Sequence, residues 1–332
     1  MFFFLGVSIL LAALLVINNA ASLVVLLLWK IFRRHISHWS PHRSAQLLFL
    51  LRVLPAVVGF GAVVLLFAPA YLRHEPRVDH EDVSLMLAIL AMLSAMVIGV
   101  TVVRGLATWR ATRRLTAQWL RNARPIEVSS VTVPAYQVDH PFPLIAVVGA
   151  FRPRLFIANQ IFASLTPAEL KAALEHENGH IRARDNLKRT VVRACRDLSF
   201  ISRGRDLDNA WLEASEAAAD EFAARQDRSI GLDLAAAIVK IARMIPSGAR
   251  PAITAGAFLA SEESAKGFGA RVRRLVHGSR EIQPSSAKPL TISKLPLMVP
   301  AIAALMLLVV ATESHVLSGV HGVIEHAVSL LD

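Results

Sequence analysis

The chain has 332 residues, 54% of them hydrophobic and only 18% charged, with a mean hydropathy of +0.49. That composition excludes a soluble or a disordered chain. The net charge of +11 raises nucleic acid or an anionic membrane as partners. A single cysteine, Cys195, excludes an intrachain disulfide and any multi-cysteine metal site, so a bound metal must be held by His and carboxylates.

Four uncharged apolar blocks, residues 2–29, 53–72, 83–103 and 295–312, each approach or exceed the roughly 18 residues that mark a membrane-spanning helix. The first has no basic residue before it and is too long for a signal-peptide core, so it reads as a retained anchor. Asn18 and Asn19 near its middle are costly against lipid and are expected to face other helices. Lys30, Arg33, Arg34, Arg43 and Arg52 follow the first block, and six arginines from Arg104 to Arg124 follow the third, whereas the 73–82 connection is acidic. Basic connections stay inside, which predicts both termini outside and residues 104–294 in the cytoplasm. The inner segments then carry +5 and +11 and the outer ones −2 and −3, so topology accounts for the charge and no direct nucleic-acid contact is expected.

The predicted organisation is three transmembrane helices with short loops (1–103), a cytoplasmic domain with a flexible return segment (104–294), a fourth transmembrane helix (295–312) and a short external tail (313–332). The arginines after the third block, interleaved with Trp109, Leu115 and Trp119, predict a juxtamembrane helix on anionic lipid. His35, His38 and His42 cluster in the first inner loop, where Pro41 interrupts any helix, and read as a wet loop rather than a metal site.

Residues 131–162 alternate β-branched and turn residues as VTVPAYQV, PLIAVVG and LFIANQIF, predicting two or three strands with a hairpin across GAFRPR. Thr166-Pro167-Ala168-Glu169 has the form of a capping box that opens a helix. On that helix stands His176-Glu177-Asn178-Gly179-His180, an HExxH pattern expected by chance about 0.02 times in a chain with 12 His. His176 and His180 share a face and can reach one metal ion, with Glu177 beside a bound water. Gly179 sacrifices about 1 kcal/mol of helix stability, which makes sense where something packs close. A third ligand is offered 36 residues past His180 by a carboxylate-dense, alanine-rich helix, where spacing leaves Glu213, Glu216 and Asp220 all open. Cys195 reads as a small buried filler on a helix over 187–200.

HExxH followed by ExxxD resembles the gluzincin membrane peptidases. GAFRPRLFIANQIFASLTPAELKAALEHENGH, the later GARVRRLVHGSREI and the span order resemble the BlaR/MecR-type antirepressor peptidases within that group. The expected fold is a multi-span α-helical membrane protein with a cytoplasmic α+β zincin (gluzincin) domain. The resemblance implies one Zn2+ per chain with Glu216 as the third ligand and Asp220 orienting a zinc-bound histidine. Asp185 is expected to cap the next helix, which begins near Leu187. It further implies a zinc endopeptidase in the inner membrane, acting in signalling on a cytoplasmic protein, a transcriptional repressor or itself. Self-cleavage is expected in the 246–296 segment. The tail is too short for the penicillin-sensing domain of BlaR, so a trigger must come from a sensor partner or from the 73–82 loop. An extended substrate is expected to add to an exposed strand edge at Leu155, Phe156, Ile157, Ala158 and Asn159. The competing readings are an HtpX-like quality-control protease and an inactive signalling scaffold.

Overall fold

The computed structural model describes residues 2–36, 39–74, 83–200, 205–225, 227–245, 256–258, 265–281 and 314–331. Among these, three helices are long and apolar enough to cross a membrane. The first is α1, Phe2–Ile36. The second is compound, with α2 (Pro41–Ala62, carrying His42 in its first turn) continuing through a π turn at Val63–Phe67 into α3, Ala68–His74. Pro69 has no N–H to offer the helical ladder, and a wide turn beside it is how a helix absorbs such a gap. The third is α4, Leu85–Arg121, started by a Ser84 side chain that accepts from the Leu87 N–H.

At 37 residues α4 is about 55 Å long, well beyond the ~30 Å of a hydrocarbon core. The third apolar block and the arginines after it are therefore one continuous helix, not a span followed by a separate surface helix. Its far end enters the folded domain, where Trp119 is buried with ring centroids 5.0 Å from Phe156 and 5.4 Å from His140. The expected fourth span at 295–312 and the 73–82 loop beyond His74 lie outside the described residues.

The domain is built on a mixed sheet of β1 (Arg124–Ile126), β2 (Ala135–Val138), β3 (Ile145–Val148), β4 (Arg154–Ala158) and β5 (Gly256–Phe258), in the order β1-β2-β4-β3-β5. The expected hairpin is β3–β4, antiparallel with Val148 opposite Arg154. Gly149 turns it at φ +104°, where a Cβ would lie 2.8 Å from the Arg152 carbonyl oxygen. The expectation for the substrate strand is corrected. β4 pairs with β2 on one side and β3 on the other, and Leu155, Phe156, Ile157 and Ala158 are wholly buried, so no further strand can be added there. Asn159 opens a short helix, α5 (Asn159–Ser164), where extended backbone was expected. A continuous apolar run is what a strand buried on both faces requires, and such a run points to the sheet's centre, not its edge.

The remaining helices are α6 (Pro167–Ala183), α7 (Asp185–Asp197), α8 (Arg205–Ala224), α9 (Arg228–Met244), α10 (Ala265–Glu281) and α11 (Ser314–Leu331). The sheet, α6 and α9 share one core around Phe156, Ala172, Leu234 and Ile238. Leu275 of α10 is buried in that core, so this part of the expected flexible return is packed structure. The expected external tail is also folded, as α11, with Leu317 and Ile324 buried against Leu5, Ile9 and Tyr71.

Helix α8 lies between the catalytic-motif helix and the apolar helices. Leu207 and Trp211 on it pack with Val25 of α1 and Leu48 of α2. The chain just past α7, residues 198–200, reaches further in. Asn18 donates to the Leu198 carbonyl at 2.8 Å, and Asn19 accepts from the Phe200 N–H at 3.0 Å, so both asparagines find backbone partners. Asp197 lies 3.4 Å from Arg104, whereas Leu198 shares a small cavity with Val97 and Ile98, about 10 Å farther along α4. Residues 198–200 therefore sit among the apolar stretches and not beneath them. Cys195, on α7, has a thiol that burial pushes up to about 11, consistent with a filler.

One ion pair joins α2 to α8: Arg52 Nε to Asp208 Oδ1 at 2.9 Å, with Arg52 4% exposed. Removing one partner of such a pair strands the other without compensation. Arg52→Ala is expected to destabilise the chain by about 3–5 kcal/mol, measured by thermal or denaturant unfolding in detergent. A loss below about 1 kcal/mol would show that Arg196, 3.6 Å from Asp208, carries the pairing instead.

Candidate metal centre

The centre begins with the cap of α6. Thr166 accepts from the Glu169 N–H at 3.3 Å while Glu169 accepts from the Thr166 N–H at 2.8 Å, and Lys240 of α9 clamps the same carboxylate at 2.7 Å. With its start fixed, α6 runs 17 residues and buries an unbroken stretch from Ala172 to His180. A Cβ on Gly179 would lie 3.1 Å from the Ala219 Cα and 3.3 Å from the Phe222 ring. The backbone of α8 thus comes as close as only glycine allows, which brings its carboxylates to the histidine face of α6.

That approach places His176, His180 and Glu216 so that one donor atom from each lies within 4.8 Å of the others, a group that could hold a metal ion. The two Nε2 atoms are 3.2 Å apart, and Glu216 oxygens lie 3.6 Å from His180 and 3.7 Å from His176. Glu177, the middle of the motif, is fully buried beside them. Asp220, one turn beyond Glu216, lies 3.0 Å from His176 Nδ1. Glu213, equally open by spacing, is exposed and outside the group.

Two neighbours escaped the sequence reading. Helix α6 ends on Arg184 in the left-handed conformation at φ 54°, which costs a non-glycine residue about 1 kcal/mol and turns the chain sharply. The turn swings Asp185 back to His180, its Oδ2 2.7 Å from Nδ1. Asp185 does begin α7, but its carboxylate serves the histidine rather than the helix end; the five-residue spacing with a non-glycine turn gave no signal of this. The other is Arg271 of α10, 2% exposed, with Nη2 2.8 Å and Nε 3.2 Å from the two oxygens of Asp220, and Nη1 3.2 Å from Glu216 Oε2. A sign was present: Arg271 occupies the apolar stripe of an amphipathic helix, one turn before Leu275.

The electrostatics follow from burial. All four oxygens of Glu177 and Glu216 are buried without a well-formed hydrogen bond, a costly state that a bound cation relieves. Two imidazole nitrogens and a carboxylate are the donors that suit zinc, and each imidazole has a carboxylate on its other nitrogen, the arrangement that fixes ligand tautomers. Burial pushes the Glu177 carboxyl up to about 7 against the pull of the two histidines. Burial also opposes charge on His180, yet Glu216 and Asp185 hold its proton up to about 10. Glu216, although buried, is kept well below the usual carboxylate range by His180, His176 and Arg271.

A proton held this firmly must leave before a histidine can ligate. Zinc uptake at neutral pH is therefore expected to release protons and to tighten as pH rises from 6 to 8. Titration calorimetry in buffers of different ionisation enthalpy measures both, and an affinity unchanged over that range would contradict the protonated site.

A buried His-His-Glu group with a carboxylic acid beside it, set between a mixed sheet and a helix pair, has the elements of a zincin. Residues 109–207 match the model of peptidase family M48, from the second half of α4 to the first turn of α8. The match includes His176, Glu177 and His180 but stops before Glu216 and Asp220. This likeness, to a family of zinc-dependent peptidases, supports a membrane-associated zinc metallopeptidase. No curated protein matches the chain.

Proposed function

We propose that the chain is an integral-membrane zinc endopeptidase with both termini outside and the domain after α4 on the cytoplasmic side. The observation that carries this reading is the convergence of buried His176, His180 and Glu216 beside Glu177. His176, His180 and Glu216 would hold the metal, which supplies Lewis-acid polarisation of the scissile carbonyl and a more acidic water. Glu177 takes the proton of the attacking water and delivers it to the leaving amine, a task suited to a group whose pKa is near the working pH. Asp185 and Asp220 hold the two imidazoles in the ligating tautomer.

The substrate is a cytoplasmic protein, a transcriptional repressor or the chain itself, in a signalling role of the BlaR/MecR type, with an external partner supplying the stimulus and anionic lipid meeting the basic half of α4. Self-cleavage has a specific support: Gly256–Phe258, within the expected self-cleaved segment, pairs antiparallel with β3, Ala146 opposite Phe258, and β3 packs beside α6. The second reading, an HtpX-like protease for membrane proteins, draws on Leu198, just past α7, which bonds Asn18 of α1 and shares a cavity with Val97 and Ile98 of α4. An inactive scaffold has no use for a buried carboxylic acid beside three metal donors.

Incubating the purified full chain with zinc and mapping its fragments by mass spectrometry tests the leading reading. Cuts within residues 246–296 that a chelator prevents are expected. Absence of any zinc-dependent cut, while an unfolded membrane protein is degraded, would favour the second.

A further inference from the structure

We propose that Arg271 is a positioning residue of the metal centre, holding Glu216 and Asp220 in the arrangement that binds zinc. The inference rests on the metal-centre reading above and goes beyond it by making α10, 51 residues past Asp220, a part of that centre. Three observations converge. Arg271 is 2% exposed, so its charge has left water entirely and must be matched by the groups it touches. Its guanidinium addresses both carboxylates at once, taking both oxygens of Asp220 and Glu216 Oε2. That leaves Glu216 Oε1, 3.6 Å from His180 Nε2, as the oxygen that the guanidinium does not take. A planar fork can take both oxygens of one carboxylate and reach a second in a fixed geometry that the rotatable donors of an ammonium do not reproduce.

The charge balance points the same way. Glu177, Asp185, Glu216 and Asp220 bring four carboxylates into one buried neighbourhood. A dication compensates two of them. Arg271 and Lys188, the latter 3.7 Å from Asp185, compensate the other two. Without Arg271, Glu216 and Asp220, one turn apart on the same face of α8, stand with one cation too few, and Asp220 loses the guanidinium that holds its carboxylate beside His176 Nδ1.

A residue that only docks α10 onto the domain would act through packing, as the apolar side chain of Leu275 does, on the same face and buried in the core. Zinc affinity of the purified full chain, by competition with a chromophoric chelator, is compared for wild type, Arg271→Ala, Arg271→Lys and Leu275→Ala. Arg271→Ala is expected to weaken zinc binding about 10–100-fold, the range for losing a partner behind a ligand. Arg271→Lys is expected to fall between it and wild type, and Leu275→Ala to stay near wild type while lowering the unfolding temperature. Wild-type affinity in Arg271→Ala, or an equal loss in Leu275→Ala, overturns the proposal and leaves the metal centre standing. Failure of wild type itself to bind zinc overturns both. Should Arg271→Ala not fold, Arg271→Lys decides alone, with undiminished affinity the contrary result.

Discussion

Glu177→Gln is expected to lower peptide hydrolysis by about 10²–10⁴-fold while zinc content stays at the wild-type level. The substitution keeps the shape of the side chain and removes its ability to accept a proton. Glu177 is fully buried and is not in the ligand group, so no donor atom is lost with it. Its carboxyl, lifted to about 7 by burial, is half ionised near neutral pH, and the amide cannot titrate at all. Measuring fragment formation and metal content on the same preparation separates chemistry from binding. Turnover within a few-fold of wild type would sink the general-base assignment, since Asp185 and Asp220, the carboxylates beside the histidine pair outside the ligand set, are already engaged by the imidazoles and, for Asp220, by Arg271.

The second large effect concerns the third ligand. Glu216→Ala is expected to weaken zinc binding by more than the ~10–100-fold attached to a supporting partner, because it removes a donor atom outright. It also leaves Arg271 and two imidazoles crowded together with less negative charge between them. Glu213→Ala, on the exposed face of the same helix, is expected to leave zinc affinity and stability unchanged within about 0.5 kcal/mol. The pair is a strict comparison, since both are glutamates on α8 three residues apart. Retained stoichiometric zinc in Glu216→Ala would refute the ligand set.

The HExxH helix was legible because everything that makes it is local. The capping box, the glycine and the i, i+4 histidines are all fixed by helix geometry, and the structure has that cap, that close approach and that shared face. The β3–β4 hairpin was legible for a similar reason, its turn being written in Gly149 and the residues that follow. The position of β4 was not, since a run of Leu, Phe and Ile reads alike in any buried strand and only pairing with β2 puts it in the centre.

The carboxylates show the same division. Spacing left Glu213, Glu216 and Asp220 equal, and burial against α6 separated them. Asp185 looked like a helix cap until the left-handed turn at Arg184 aimed it at His180, and Arg271 looked like one more arginine in a basic return segment.

By itself, the sequence determined the first three apolar helices, the basic and acidic connections beside them and the two-histidine motif, because hydropathy and helical periodicity act over a few residues. Only the tertiary structure decided which carboxylates join the histidines, which arginine stands behind them, and that α8 is shared between the metal centre and the apolar helix α2. Those contacts join residues tens to hundreds of positions apart. Burial, not spacing, selects them, because a charge left in the interior is tolerated only where the fold supplies its partner.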